Sequence, residues 1–186
     1  MTAQGIERAH LVGHSMGGGV AMTLALGSPD KVQSVTVLGS MGLGPEINQE
    51  YIEGFIAAKN RRELKPTIEL LFAGGDLVNR QMLDDVLKYK RLDGVDAALR
   101  TIADGAAPGG QQKEQLGPRL ADSSTPILAI WGSQDRIIPV AHATSLPSHA
   151  RLEVLEGQGH SPHMEAASDV NRLIEEFVSS QGNGSR

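Results

Sequence analysis

The chain has 186 residues, a net charge of −5, no cysteine and only 3% aromatic residues. That length supports one domain with a real core, and the acidic balance with so few aromatics argues against nucleic acid or an anionic membrane surface as partner. The missing cysteines exclude disulfides, a thiolate metal site and a cysteine nucleophile. No apolar run approaches the ~20 residues of a membrane span, and the N-terminus lacks a basic-then-apolar signal pattern, so a cytoplasmic location is expected.

In chain order, His10-Leu11-Val12 is an apolar run that reads as a strand, and Val20 to Leu26 as a helix ended by Gly27 and Pro29. That helix is almost uniformly apolar, which predicts burial on most sides. The β-branched run Val32 to Leu38 predicts a second strand, and the glycine-rich stretch from Gly39 to Pro45 breaks the pattern. Helical stripes follow at Tyr51, Ile52, Phe55 and Ile56, then at Met82, Leu83, Val86 and Leu87, then at Val95, Leu99 and Ile102. Pro66 to Phe72 is a shorter helical candidate. Lys88-Tyr89-Lys90-Arg91 reads as a solvated face, the sharper alternative being a patch for an anionic cofactor. Residues 105–118 hold four glycines and two prolines and read as a linker. Pro126 to Trp131 is a continuous apolar run, as in a strand buried on both faces, and Arg151 to Leu155 is another strand. Val170, Leu173, Ile174, Phe177 and Val178 stripe a last helix, and the polar, glycine-rich tail 179–186 is expected to be disordered. Strands alternating with helices predict an α/β fold with a mostly parallel sheet.

The chemistry concentrates where strands end. Gly13-His14-Ser15-Met16-Gly17 joins the first strand to its helix, the strand–Gly-x-Ser-x-Gly–helix pattern of a nucleophile elbow. Ser15 would project from a strained turn, Gly13 and Gly17 would remove colliding Cβ atoms, and the Met16 N–H at the helix start would face a developing oxyanion. Asp135 and His160 also follow predicted strands, and the chain order Ser, Asp, His is that of α/β-hydrolases. His160 would take the Ser15 proton, and Asp135 would hold the imidazole tautomer. Read singly, Asp135 is an ordinary turn aspartate and His160 a polar loop residue; position and order together favour a triad. His14 is expected to support the elbow by packing or hydrogen bonding. His160 and His163 find no third ligand at suitable spacing, so no metal site is expected. Neither a phosphate-binding loop nor a dinucleotide fingerprint is present.

Several stretches resemble one family: Glu7 to Gly18, Gly42 to Asn48, Arg61 to Pro66, Leu87 to Val95 and Trp131 to Pro139. They resemble the C-terminal α/β-hydrolase-fold domain of the acetoin dehydrogenase dihydrolipoyllysine-residue acetyltransferase subunit. The resemblance implies a core at residues 1–44 and 119–178, a helical cap with its linker at 45–118, and Ser15, Asp135 and His160 as nucleophile, acid and base. It implies acyl transfer from lipoyl-lysine to coenzyme A on a small acyl substrate, with no bound cofactor and with dehydrogenase-complex subunits as partners. Asp30-Lys31-Val32 lies between helix and strand, so it is not read as a lipoyl-lysine tripeptide. Two other readings remain open: a serine hydrolase of small esters, thioesters or C–C bonds, and a non-catalytic assembly module.

Such a domain carries strands and helices before its elbow, whereas this chain starts just ahead of it, which reads as an N-terminal truncation. The second oxyanion donor would then be missing, at a cost of about 10²–10³ in rate. Leu11 and Val12 would lie on an open sheet edge and the helix after Ser15 would lose part of its cover. Self-association through that edge is therefore expected.

Overall fold

The computed structural model describes residues 2–182. Strands β1 (Ala9–His14), β2 (Val32–Leu38), β3 (Ile127–Gly132) and β4 (Arg151–Leu155) form one parallel sheet in the order β1-β2-β3-β4. Each lies within a residue or two of the run that predicted it. Helix α1 (Met16–Gly27) follows β1, and α8 (Ala167–Gly182) closes the described chain.

The sheet has one helix layer on each face, sorted by the two-residue period of the strands. Val35, Val37, Ile127, Ala129 and Trp131 face Ala21, Met22 and Ala25 of α1. Their neighbours Leu38, Leu128 and Ile130 face Val170, Leu173 and Phe177 of α8. All six residues of β3 are buried, as the continuous apolar run requires of a strand covered twice.

Between β2 and β3 come α2 (Gln49–Ala57), α3 (Arg61–Glu69), α4 (Arg80–Lys90), α5 (Val95–Ala106) and the single turn α6 (Gly117–Leu120). A separate apolar cluster of Leu64, Ile68, Phe72, Leu83 and Leu87 holds this helical segment together. Its two ends are laced to each other. Ile47 N–H donates to Gly110 O, Gln112 N–H donates to Pro45 O, and the Gln112 side chain bonds both Gly42 N–H and Glu46 O. A short α7 (Pro162–Glu165) follows β4, with Pro162 at its first position, where a missing N–H costs the helix nothing.

Four expectations need correction. Helix α3 starts at Arg61, not Pro66, because Asn60 caps it: the Asn60 side chain accepts from Glu63 N–H, and the Glu63 carboxylate accepts from Lys59 N–H. Asn60-x-x-Glu63 is a capping-box spacing, a signal present in the sequence. Helix α1 is not buried on most sides, since Val20 is 62% and Leu24 39% exposed. It lies over β1, which has β2 on one side and no second strand among the described residues. Residues 179–182 continue α8 and are not a disordered tail, because the apolar stripe packed on the sheet carries the helix past Phe177; residues 183–186 lie outside the described residues. Within the basic run, Lys88, Tyr89 and Arg91 are exposed, whereas the Lys90 ammonium turns inward, donates to Phe55 O and Ile56 O, and lies over the Phe55 ring. It thus satisfies carbonyls at the C-terminal end of α2.

Candidate active site

Ser15 sits between β1 and α1 with φ of 53°, the one positive φ outside glycine among the described residues. The strain is held by backbone bonds on both sides. Ser15 N–H donates to Leu38 O at 2.9 Å, and Ser15 O accepts from Gly18 N–H at 3.0 Å and Met41 N–H at 3.1 Å. An unfavourable conformation persisting at a sharp strand-to-helix turn is the geometry an exposed nucleophile needs. A Cβ on Gly13 would run into the Gly17 carbonyl, as expected. Gly17 itself meets nothing beyond its own helix. Gly18 instead closes the elbow, against the Ser40 side chain, because that position of α1 faces the end of β2. Met16 is the first residue of α1, so its N–H has no acceptor within the helix and stands at the positive end of the helix dipole.

Asp135 follows β3 and His160 follows β4. The structure brings them together: His160 Nδ1 and Asp135 Oδ2 are 2.8 Å apart, with both side chains almost wholly buried. The other carboxylate oxygen, Oδ1, accepts from Ile137 N–H at 2.8 Å and Ile138 N–H at 2.9 Å. With Asp135 ionised, the imidazole donates from Nδ1 and keeps the Nε2 lone pair free for a proton. No hydrogen bond joins Ser15 to His160 among the described residues. Nucleophile–base contacts are commonly long before a substrate is bound.

His14, at the end of β1, donates from Nε2 to the His160 carbonyl at 2.8 Å. Its ring lies 4.7 Å from that of His160 and 4.6 Å from that of His163. Burial, reinforced by the neighbouring His160, lowers its pKa to about 4, so it is neutral near pH 7. Burial also lowers the pKa of His163. Among the described residues no group of three or more His, Cys, Asp or Glu side chains is placed to hold a metal ion.

Sequence reasoning missed Gly39. It follows β2 with φ of 48°, and a Cβ there would lie 3.0 Å from both Asp135 Oδ2 and His160 Nδ1. A glycine just past a strand is a visible signal, but what presses on it is not. A cavity of about 200 Å³ opens beside Ser15, walled by Met16 and Met41 on one side and by Tyr51, Phe55 and Ile102 from α2 and α5 on the other. Ser15 and Tyr51 supply the polar side chains of its lining. Burial pushes the Tyr51 phenol up to about 12, so it stays protonated.

A parallel sheet sandwiched by helices, an elbow serine and a buried Asp–His pair at the strand ends define the α/β-hydrolase class. The chain belongs to that family: residues 1–167 match the family model for the alpha/beta hydrolase fold. Among curated proteins it is 52% identical over 178 residues to the dihydrolipoyllysine-residue acetyltransferase component of the acetoin cleaving system of Cupriavidus necator, covering 96% of this chain and 48% of that one. It is 47% identical over 173 residues to the same-named component of Pseudomonas putida, covering 93% of this chain and 46% of that one. The chain thus spans about half the length of these relatives. Among solved structures, a meta-cleavage product hydrolase from Pseudomonas fluorescens superposes with a TM-score of 0.87 at 20% identity, over 97% of this chain and 68% of that one. The chain is therefore an α/β-hydrolase-fold protein, close in sequence to acetoin-system acetyltransferase components. No helix among the described residues is long and apolar enough to cross a membrane.

Proposed function

We propose that this chain carries out serine-dependent cleavage of a small acyl substrate, an ester, thioester or C–C bond, with Ser15 as nucleophile, His160 as base and Asp135 as the acid that orients it. The observation that carries the reading is the buried Asp135–His160 pair at the same sheet end as the strained Ser15 turn. His160 would take the Ser15 proton as the hydroxyl attacks the substrate carbonyl, and return it to the leaving group; the Met16 N–H would bind the oxyanion. Helices α2 to α5 serve as a cap, and the small apolar cavity suits a short acyl group. Water then releases the acyl group from Ser15.

A second reading is acyl transfer between lipoyl-lysine and coenzyme A as substrates, within an acetoin dehydrogenase-type complex in the cytoplasm. The 52% and 47% identities to acetyltransferase components favour it. The open β1 edge and the exposed Val12, Met16 and Val20 support association, with a second copy or with complex subunits.

The test is acceptor dependence of acyl release. A serine-directed fluorophosphonate should label Ser15, and acyl release should proceed in water alone if the first reading is right. Release that requires coenzyme A would replace it with the second. Absence of labelling would leave a non-catalytic module.

A further inference from the structure

His160 is held at its ring by Asp135, but its backbone is held from elsewhere. Its carbonyl accepts from His14, and the next amide, Ser161 N–H, donates to Leu71 O at 3.0 Å. The preceding amide, Gly159 N–H, donates to Glu165 Oε2 at 2.7 Å. The other oxygen of that carboxylate, Oε1, accepts from Ala73 N–H, also at 2.7 Å. Glu165 ends α7, whereas Ala73 lies just beyond α3 in the helical segment. One half-buried carboxylate therefore ties the residue before His160 to that segment.

The approach is close. A Cβ on Gly159 would stand 2.6 Å from Ala73 N and 2.7 Å from the Phe72 carbonyl carbon, so only glycine fits there. Arg136, next to Asp135, reaches the same place: its guanidinium donates to Glu69 O at 2.5 Å and Phe72 O at 2.6 Å. Residues 69–73 thus bind both the acid loop and the histidine loop. Neither Gly159 N–H nor Ala73 N–H has another acceptor among the described residues. Bonds to an ionised carboxylate are stronger than neutral ones, and removing it would strand two donors.

We propose that Glu165 is a positioning residue for the proposed base: it fixes the His160 backbone to the helical segment so that the imidazole is presented to Ser15. The proposal rests on the reading of His160 as base. A shift of about 1 Å in a reacting group is enough to cost up to 10²-fold in rate. The same link makes the alignment of His160 depend on the seating of residues 72 and 73, so movement of the helical segment and readiness of the base are coupled.

The experiment measures inactivation of the full chain by the fluorophosphonate, separating the maximal rate from the half-saturating concentration, together with amide exchange at Gly159 and Ala73. E165A should lower the maximal rate about 10–100-fold with half-saturation within about twofold, and both amides should lose protection together. E165Q, whose amide oxygen still accepts one N–H, should recover part of the rate and keep the thermal midpoint, which guards against simple unfolding. An unchanged maximal rate in E165A, or unchanged protection at Gly159 in E165Q and E165A alike, would overturn the proposal. Labelling that persists in S15A would instead sink the triad reading, and the exchange data would still decide whether Glu165 holds the loop.

Discussion

β1 and β3 run parallel in the same sheet with only β2 between them, yet they live in different surroundings. β3 has a strand on each side, and Trp131 near its end is fully buried with its indole N–H on Ile138 O at 3.0 Å. β1 has one neighbour, and around the elbow Val12 is 54%, Met16 46% and Val20 62% exposed. Asp135 and His160 are thus held by burial and by side-chain bonds from three parts of the chain. Ser15 is held almost wholly by backbone bonds, to Gly18 within its own turn and to Leu38 and Met41 at the end of β2. The elbow rests on main-chain bonds in an exposed setting; the Asp135–His160 pair rests on side-chain bonds in a buried one.

The largest expected effect breaks the comparison at the elbow. Ser15→Ala should bring fluorophosphonate labelling and ester turnover to background while the unfolding midpoint stays near wild type, because the hydroxyl makes no packing contribution to the turn. Intact labelling in this variant would remove Ser15 from the mechanism. The opposite pattern is expected in the packed half. Trp131→Ala should cost about 3–5 kcal/mol in denaturant unfolding, from lost burial plus a cavity under the Asp135 turn. A loss below 1 kcal/mol would show that β3 does not anchor that turn.

A smaller effect lies where the two halves meet, at His14. Its folded pKa of about 4 is below the ordinary 6.5, so between those values the unfolded chain binds a proton that the fold refuses. Stability is therefore unaffected by His14 above pH 6.5 and falls as pH drops toward 4, by roughly 3 kcal/mol at most. His14→Gln, which can still donate to the His160 carbonyl, should flatten unfolding-versus-pH curves in that window. An unchanged slope would place the acid sensitivity elsewhere. The smallest effect on stability is expected on the exposed face. Val20→Ser should change folding by no more than about 0.5 kcal/mol and, under the association proposed above, shift light scattering toward smaller species. Unaltered association would mean that the α1 face is not the contact.

The legible part of this fold is the part written in short periods. Four strands and their parallel pairing follow from β-branched and apolar runs separated by helical stripes, and α2, α4 and α5 follow from spacing at Tyr51, Met82 and Val95. The start of α3 was legible too, through Asn60 and Glu63, but an interior Pro66 draws attention away from it. The Ser15 turn could be read because its requirements are met within five consecutive residues. The nearness of Asp135 and His160 could be read only through strand ends and chain order.

By itself the sequence determined the strand and helix pattern, the strained Ser15 turn, and the order in which Ser15, Asp135 and His160 meet the sheet. These depend on steric and periodic rules that act over a few residues. Only the tertiary structure decided that Gly18 and not Gly17 closes the elbow and that Lys90 turns inward onto α2. It alone brought Gly39 against the Asp135–His160 pair and Glu165 between Gly159 and Ala73. The reason is physical: these contacts join segments far apart along the chain. Whether a glycine, a lysine or a carboxylate there has a partner depends on where other elements pack, which no local pattern encodes.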